Sequence, residues 1–190
     1  MTTATEPRRA VTLMLKGKRL GFADLAEPRS INGGKPSYGA RIIVEQDDAD
    51  VKAIDAAIKE VAEAQWKDKA GTVLDLLEEK GRIAFSKKPY RNSKGEVYKA
   101  FEGKFSLGVS APTTKRPTYF DEYGNPIDSP EKVAAKLYAG CYVNMKVEFY
   151  PLIRDDGNRI NCAVLGVMFA GDGESFGGGA PVASADDFSG

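Results

Sequence analysis

The sequence predicts a mainly β protein, a small antiparallel barrel with inserted helices, and three observations carry that prediction. Apolar and polar residues alternate over 142–150, 38–45 and 105–111, the period of a half-buried strand. The turn Asp155–Asp156–Gly157–Asn158 joins the first of these runs to a second apolar run over 160–169, as a hairpin does. Helical spacing is confined to inserted stretches and does not alternate with the strands, which argues against a parallel βαβ sheet. At 190 residues and 20.5 kDa the chain fits one domain. A chain of that size buries enough surface to fold without disulfides or metal.

The elements follow in order. Residues 11–25 read as an extended segment carrying Lys16, Lys18 and Arg19, and Gly17 and Gly21 within it predict a bent or bulged strand. Residues 30–36, with Gly33 and Gly34, have the chemistry of a loop. In the next strand Tyr38, Ala40, Ile42 and Val44 share one face, and Arg41, Ile43 and Glu45 the other. Asp47 or Asp48 then caps a helix predicted over 48–67, in which Val51, Ile54, Ile58, Val61 and Trp66 recur at helical spacing. A shorter helix over 72–80 takes Thr72 as its N-cap and Leu74, Leu76 and Leu77 as its anchors. Ser129–Pro130–Glu131 opens a third helix, with Pro at the first helical position and Gly140 as a stop. Four or five strands interrupted in this way fit a small barrel such as the OB-fold. Residues 1–169 form the folded domain in this reading, and the Gly-rich, acidic residues 170–190 form a disordered tail.

Composition excludes several chemistries. The chain has no histidine, which removes Ser–His–Asp and Cys–His catalysis and the commonest zinc sites. Cys141 and Cys162 form no CxxC pair and suit a reducing cytoplasm. No apolar run reaches the ~18 residues of a membrane span, and residues 1–9 carry no secretory h-region, so no membrane partner is expected. Gly34–Lys35 lacks the remainder of a P-loop, and the glycines of 171–179 open no helix. Asp121–Glu122 and Asp155–Asp156 lie in turn sequence, where acids are common without metal; no cofactor or metal is expected.

Charge is balanced overall, 27 Lys and Arg against 27 Asp and Glu, but unevenly placed. Residues 170–190 hold Asp172, Glu174, Asp186 and Asp187 and no cation, which leaves the body with an excess of four positive charges. The basic residues concentrate in 80–104, where Lys87, Lys88, Arg91, Lys94, Lys99 and Lys104 interleave with Tyr90, Tyr98 and Phe101. Cations satisfy backbone phosphates and aromatic faces stack on any base, so this pattern points to sequence-tolerant binding of single strands. Lys115, Arg116 and Tyr119 extend it downstream, and Lys16, Tyr38 and Arg41 add to it from the first two strands. The competing readings are a metal-dependent nuclease or accessory replication enzyme using the clustered carboxylates, and an adaptor whose basic loop meets an acidic protein.

Several stretches in their order and spacing resemble the single-stranded DNA-binding proteins of tailed bacteriophages. They are the run from Phe22 through Asp24, Leu25 and Pro28 to Arg29, then Lys35, Pro36, Ser37 and Tyr38 leading into the 40–44 strand. The acids of 47–50 with the Ala-rich helix ending at Trp66, the 138–142 stretch with Gly140 and Cys141, and the closing Asp186, Asp187 and Phe188 complete the likeness. The resemblance implies an OB-fold, a non-catalytic role protecting single-stranded DNA in replication or recombination, and an acidic tail. Through that tail, Asp186, Asp187 and Phe188 would recruit replication proteins such as a DNA polymerase. Here Ser189 and Gly190 follow Phe188, whereas the best-known tails of this kind end on the aromatic.

Overall fold

The structure, a computed structural model, describes residues 9–31 and 33–176. Among these residues the elements run β1 (Val11–Arg29), β2 (Ser37–Val44), α1 (Asp50–Trp66), α2 (Ala70–Glu79), β3 (Phe85–Ser86), β4 (Phe105–Pro112), β5 (Thr118–Phe120), α3 (Pro130–Lys136), β6 (Tyr142–Leu152) and β7 (Arg159–Gly171). The hydrogen-bonded order β4-β2-β1-β6-β7 closes on itself where β4 meets β7 in parallel at Ser110 and Ala163. Five strands thus form an OB-type barrel, flanked by the short β3 and β5. Where β4 and β7 diverge, the segment before β3 fills the gap. Ile83 bridges to Ile160, and the Gly108 amide donates to the Ala84 carbonyl.

The 19 residues of β1 serve two neighbours: Val11 to Arg19 pair with β6, and Arg19 to Arg29 with β2. A strand that turns this corner needs slack, and both glycines supply it. The β6 register shifts between Leu15 and Lys18, around Gly17 at φ 64°; the β2 register shifts between Leu20 and Phe22, at Gly21. A Cβ on Gly21 would lie 2.3 Å from the Phe101 ring, so glycine is required there for that ring to seat. The first bulge turns Lys18 inward, only 4% exposed, where its ammonium meets Asp48 at 2.9 Å and Asp50 at 2.6 Å. That contact ties the start of α1 to the barrel.

Side chains from alternate strand positions fill the interior: Ile42 and Val44 of β2, Leu107 and Val109 of β4, Val143, Met145, Val147 and Phe149 of β6. On β7 the inward phase passes from Val164 to Val167 across a register shift beside Lys146 and Val147. On the turn side of that shift Cys162 opposes Phe149, and both cysteines are free and buried.

The helices differ from expectation at their ends. α1 starts at Asp50, with the Asp48 carboxylate accepting the Asp50 amide at 2.8 Å. α2 begins at Ala70 because a 3-10 turn over Lys67–Lys69 leads into it directly, so Thr72 lies inside the helix and caps nothing. The Ser129 hydroxyl caps α3 by accepting the Lys132 amide at 3.3 Å. α3 stops at Lys136, before Gly140.

The folded part also extends past the expected boundary at residue 169. β7 continues to Gly171, and the residues after it are tied down. Tyr138 donates its hydroxyl to Asp172 at 2.8 Å, and Phe176 donates its amide to the Ala139 carbonyl at 3.1 Å. Arg19 donates to the Glu174 carbonyl at 3.0 Å and stands 4.2 Å over the Phe176 ring. Asp186, Asp187 and Phe188 lie outside the described residues.

Candidate functional site

Antiparallel register lines up the outer face of the barrel. Phe22 of β1, Arg41 of β2 and Gly108 of β4 form one cross-strand row, and Asp24, Gly39 and Ser110 form the next. Strand residues two apart share a face, so both rows look outward together. Gly39, Gly108 and Ser110 leave room on this surface, and the Arg41 guanidinium lies over Gly108.

The basic, aromatic segment between α2 and β4 folds against that face. Its turn is built locally: the Asn92 side chain accepts the amides of Lys94 at 2.9 Å and Glu96 at 3.0 Å, and Gly95 adopts φ 81°. The Tyr98 amide donates to the Tyr90 carbonyl at 3.0 Å. Tyr90 and Tyr98 are thereby brought into a stack, 5.4 Å between centroids and 17° between planes. Phe22 meets both edge-on, at 5.7 Å and 4.9 Å, and lies parallel to Phe101 at 5.8 Å. The Arg41 guanidinium covers the Tyr90 ring at 4.0 Å and donates to the Ser106 hydroxyl at 3.1 Å. Burial pushes the Arg41 pKa down from the arginine range, against the opposing pull of Tyr90.

Beside this cluster lies a cleft of about 540 Å³ crossing β1, β2, β4 and β7. Arg29, Arg41, Arg82, Lys87, Lys88 and Arg159 line it, against the carboxylates of Asp24 and Glu78. A positive groove beside aromatic rings is the arrangement that holds a nucleic-acid backbone while leaving bases to stack.

The residues expected to bind DNA separate into groups. Arg41, Lys87, Lys88 and Tyr90 line the cleft, with Tyr98 stacked behind Tyr90. Lys87 also reaches Asp55 of α1 at 2.9 Å. Arg91, Lys94 and Lys99 are exposed on the same folded segment, and Lys104 at its end pairs with Glu45. Lys115 and Arg116 are exposed on the β4–β5 connection, where Arg116 donates to the Asp128 carbonyl. Lys16 lies at the first bulge, on the part of β1 that pairs with β6, and does not line the cleft.

Three expected aromatics belong to the interior. Tyr38 is 9% exposed and points inward, because β2 has a period of two and Arg41, three residues on, points out. Phe101, 1% exposed, is consumed by packing on Gly21 and Phe22. Tyr119, 2% exposed, has its hydroxyl buried without a hydrogen-bond partner, and burial drives its pKa upward. Phe22, Gly39, Arg82 and Arg159 join the site instead. The small, polar face of Ser106, Gly108 and Ser110 was the readable trace of its floor.

The carboxylates of Asp121 and Glu122 are occupied by protein partners. Asp121 accepts the amides of Tyr123 and Asn125, each at 2.9 Å, and Glu122 pairs with Lys136 at 2.6 Å. No cluster of three or more potential metal ligands exists among the described residues.

Comparison with known proteins matches residues 11–190 to the family described as Enterobacter phage Enc34, ssDNA-binding protein. The protein p50 of Acyrthosiphon pisum secondary endosymbiont phage 1 is 30% identical over 180 residues, covering 93% of this chain and 91% of p50. The single-stranded DNA-binding protein of bacteriophage Enc34, solved in complex with ssDNA, superposes with TM-score 0.67 at 20% identity, over 87% of this chain and 89% of that one. The single-stranded DNA-binding protein gp2.5 encoded by bacteriophage T7 superposes with TM-score 0.53 at 14% identity, over 95% and 94% of the two chains.

Proposed function

This chain belongs to the family of the Enterobacter phage Enc34 ssDNA-binding protein, and from that premise we propose that it binds single-stranded DNA along the cleft, without regard to base sequence. The observation that supports this placement is the stack of Arg41, Tyr90 and Tyr98 beside a cationic cleft with a glycine floor. The neighbours named for what they bind are ssDNA-binding proteins, not enzymes. Cationic groups hold the phosphates in register, and aromatic rings accept whichever base arrives. Within this reading the protein serves phage DNA replication or recombination in the host cytoplasm. Asp186, Asp187 and Phe188 provide an acidic, aromatic contact for replication proteins such as a DNA polymerase. No helix among the described residues is long and apolar enough to cross a membrane.

The test is a binding titration on mixed-sequence oligonucleotides, with and without Mg²⁺, over a tenfold range of salt. Binding without cleavage that weakens steeply with salt is expected, since each phosphate contact contributes about 0.7 to the log–log slope on single strands. Mg²⁺-dependent cleavage, or affinity that stays flat with salt, would refute it.

A further inference from the structure

Arg41 is the cation nearest the aromatic cluster, and its surroundings assign it a different task from the lysines around it. Its guanidinium carbon stands over the Tyr90 ring, 4.0 Å from the centroid, while Tyr98 stacks on Tyr90 at 5.4 Å. One of its nitrogens is committed to the Ser106 hydroxyl, in a residue only 1% exposed. The guanidinium also lies against the backbone at Gly108, where a Cβ would come within 2.9 Å of it. Lys88, by contrast, is exposed where it lines the cleft. Arg41 instead has one donor held by Ser106 and its guanidinium placed against the Tyr90 ring and the Gly108 backbone. Planar stacking and a fixed fork of donors distinguish arginine from lysine in such a place.

We infer that Arg41 is a positioning residue: it clamps Tyr90, and through Tyr90 the Tyr98 ring, in the orientation that stacks on a base, and it contributes no phosphate contact. This rests on the single-strand reading above, and the experiment separates the two. Affinity for a mixed-sequence oligonucleotide is measured across a salt series for wild type, Arg41→Ala, Arg41→Lys, Tyr90→Ala and the double variant Arg41→Ala/Tyr90→Ala. Arg41→Ala and Arg41→Lys are both expected to lose about tenfold, on the order of one stack, with the wild-type salt slope. Because Arg41 acts through Tyr90, the double variant is expected to bind no more weakly than Tyr90→Ala. The near-UV circular dichroism of the DNA-free protein should lose the contribution of the Tyr90–Tyr98 pair in Arg41→Ala and in Arg41→Lys.

A salt slope reduced by about 0.7 in Arg41→Ala, with Arg41→Lys behaving as wild type, would make Arg41 a phosphate ligand and overturn the inference. So would losses that multiply in the double variant. Binding unchanged in every variant would overturn both the inference and the placement of the strand.

Discussion

Phe101 illustrates how a residue's surroundings decide its role. Its ring fills the space that Gly21 leaves open, so Phe101→Ala should cost about 3–5 kcal/mol of stability, read by urea unfolding. Any loss of DNA affinity should then follow from unfolding. Tyr119 offers the opposite sign. Its buried hydroxyl has no partner, so Tyr119→Phe removes an unpaid desolvation cost and should leave stability unchanged or raise it by up to about 1 kcal/mol. Lys18 is the most consequential buried charge. Burial opposes its ammonium, yet hydrogen bonds to Asp50 and Asp48 raise its pKa above 10.5. For Asp48 burial pulls upward, but the Asp50 amide and Lys18 outweigh it and hold the pKa below 3.8. Stability from Asp48 is therefore complete above its unfolded pKa and is lost as pH falls through the lower folded value. Stability from Lys18 is complete below its unfolded pKa and is lost as pH rises through the higher folded one. Lys18→Met should cost about 3 kcal/mol at neutral pH, a penalty that shrinks on acidification below 3.8 in pH-dependent unfolding.

Among the elements, the end of β7 carries the clearest prediction. A chain ending after Phe176 should melt with the full-length protein. One ending after Phe169 loses the pairing of Gly171 with Tyr142 and every contact of Asp172, Glu174 and Phe176, and should melt several degrees lower. Nothing local in the sequence announces this clasp. Its glycines show no period, and its partner Arg19 lies 155 residues from Glu174 along the chain. The strands were legible because their signal is local: the alternation of β2, β4 and β6 and the glycines at the bulges of β1 required no knowledge of neighbours. The site was legible in part for the same reason. Tyr90, Lys87 and Lys88 stand out as aromatics among cations, whereas Phe22, Gly39 and Gly108 meet only through cross-strand register. Tyr38 is instructive, since the two-residue period that placed Arg41 outside already placed it inside. Phe101 and Tyr119 lie in a 3-10 turn and a three-residue strand, too short to show a period.

At the scale of the whole molecule, charge separates the barrel from its C-terminal segment. Residues 177–190 carry Asp186 and Asp187 and no cation, and we propose that they compete with phosphates for the same positive surface. A chain ending after Phe176 should bind single strands more tightly at low salt, with the difference vanishing at high salt as screening shortens the interaction. Equal affinity at low salt would remove the tail from the account of DNA binding. The placement of the strand itself is tested most directly by hydrogen–deuterium exchange of the full chain with and without a saturating mixed-sequence oligonucleotide. Slowed exchange is predicted in residues 22–29, 37–41, 82–99 and 108–110, which surround the cleft, with no change in α3. Protection confined to α3, β5 or the outer side of α1, with the cleft segments exchanging as in the free protein, would contradict it.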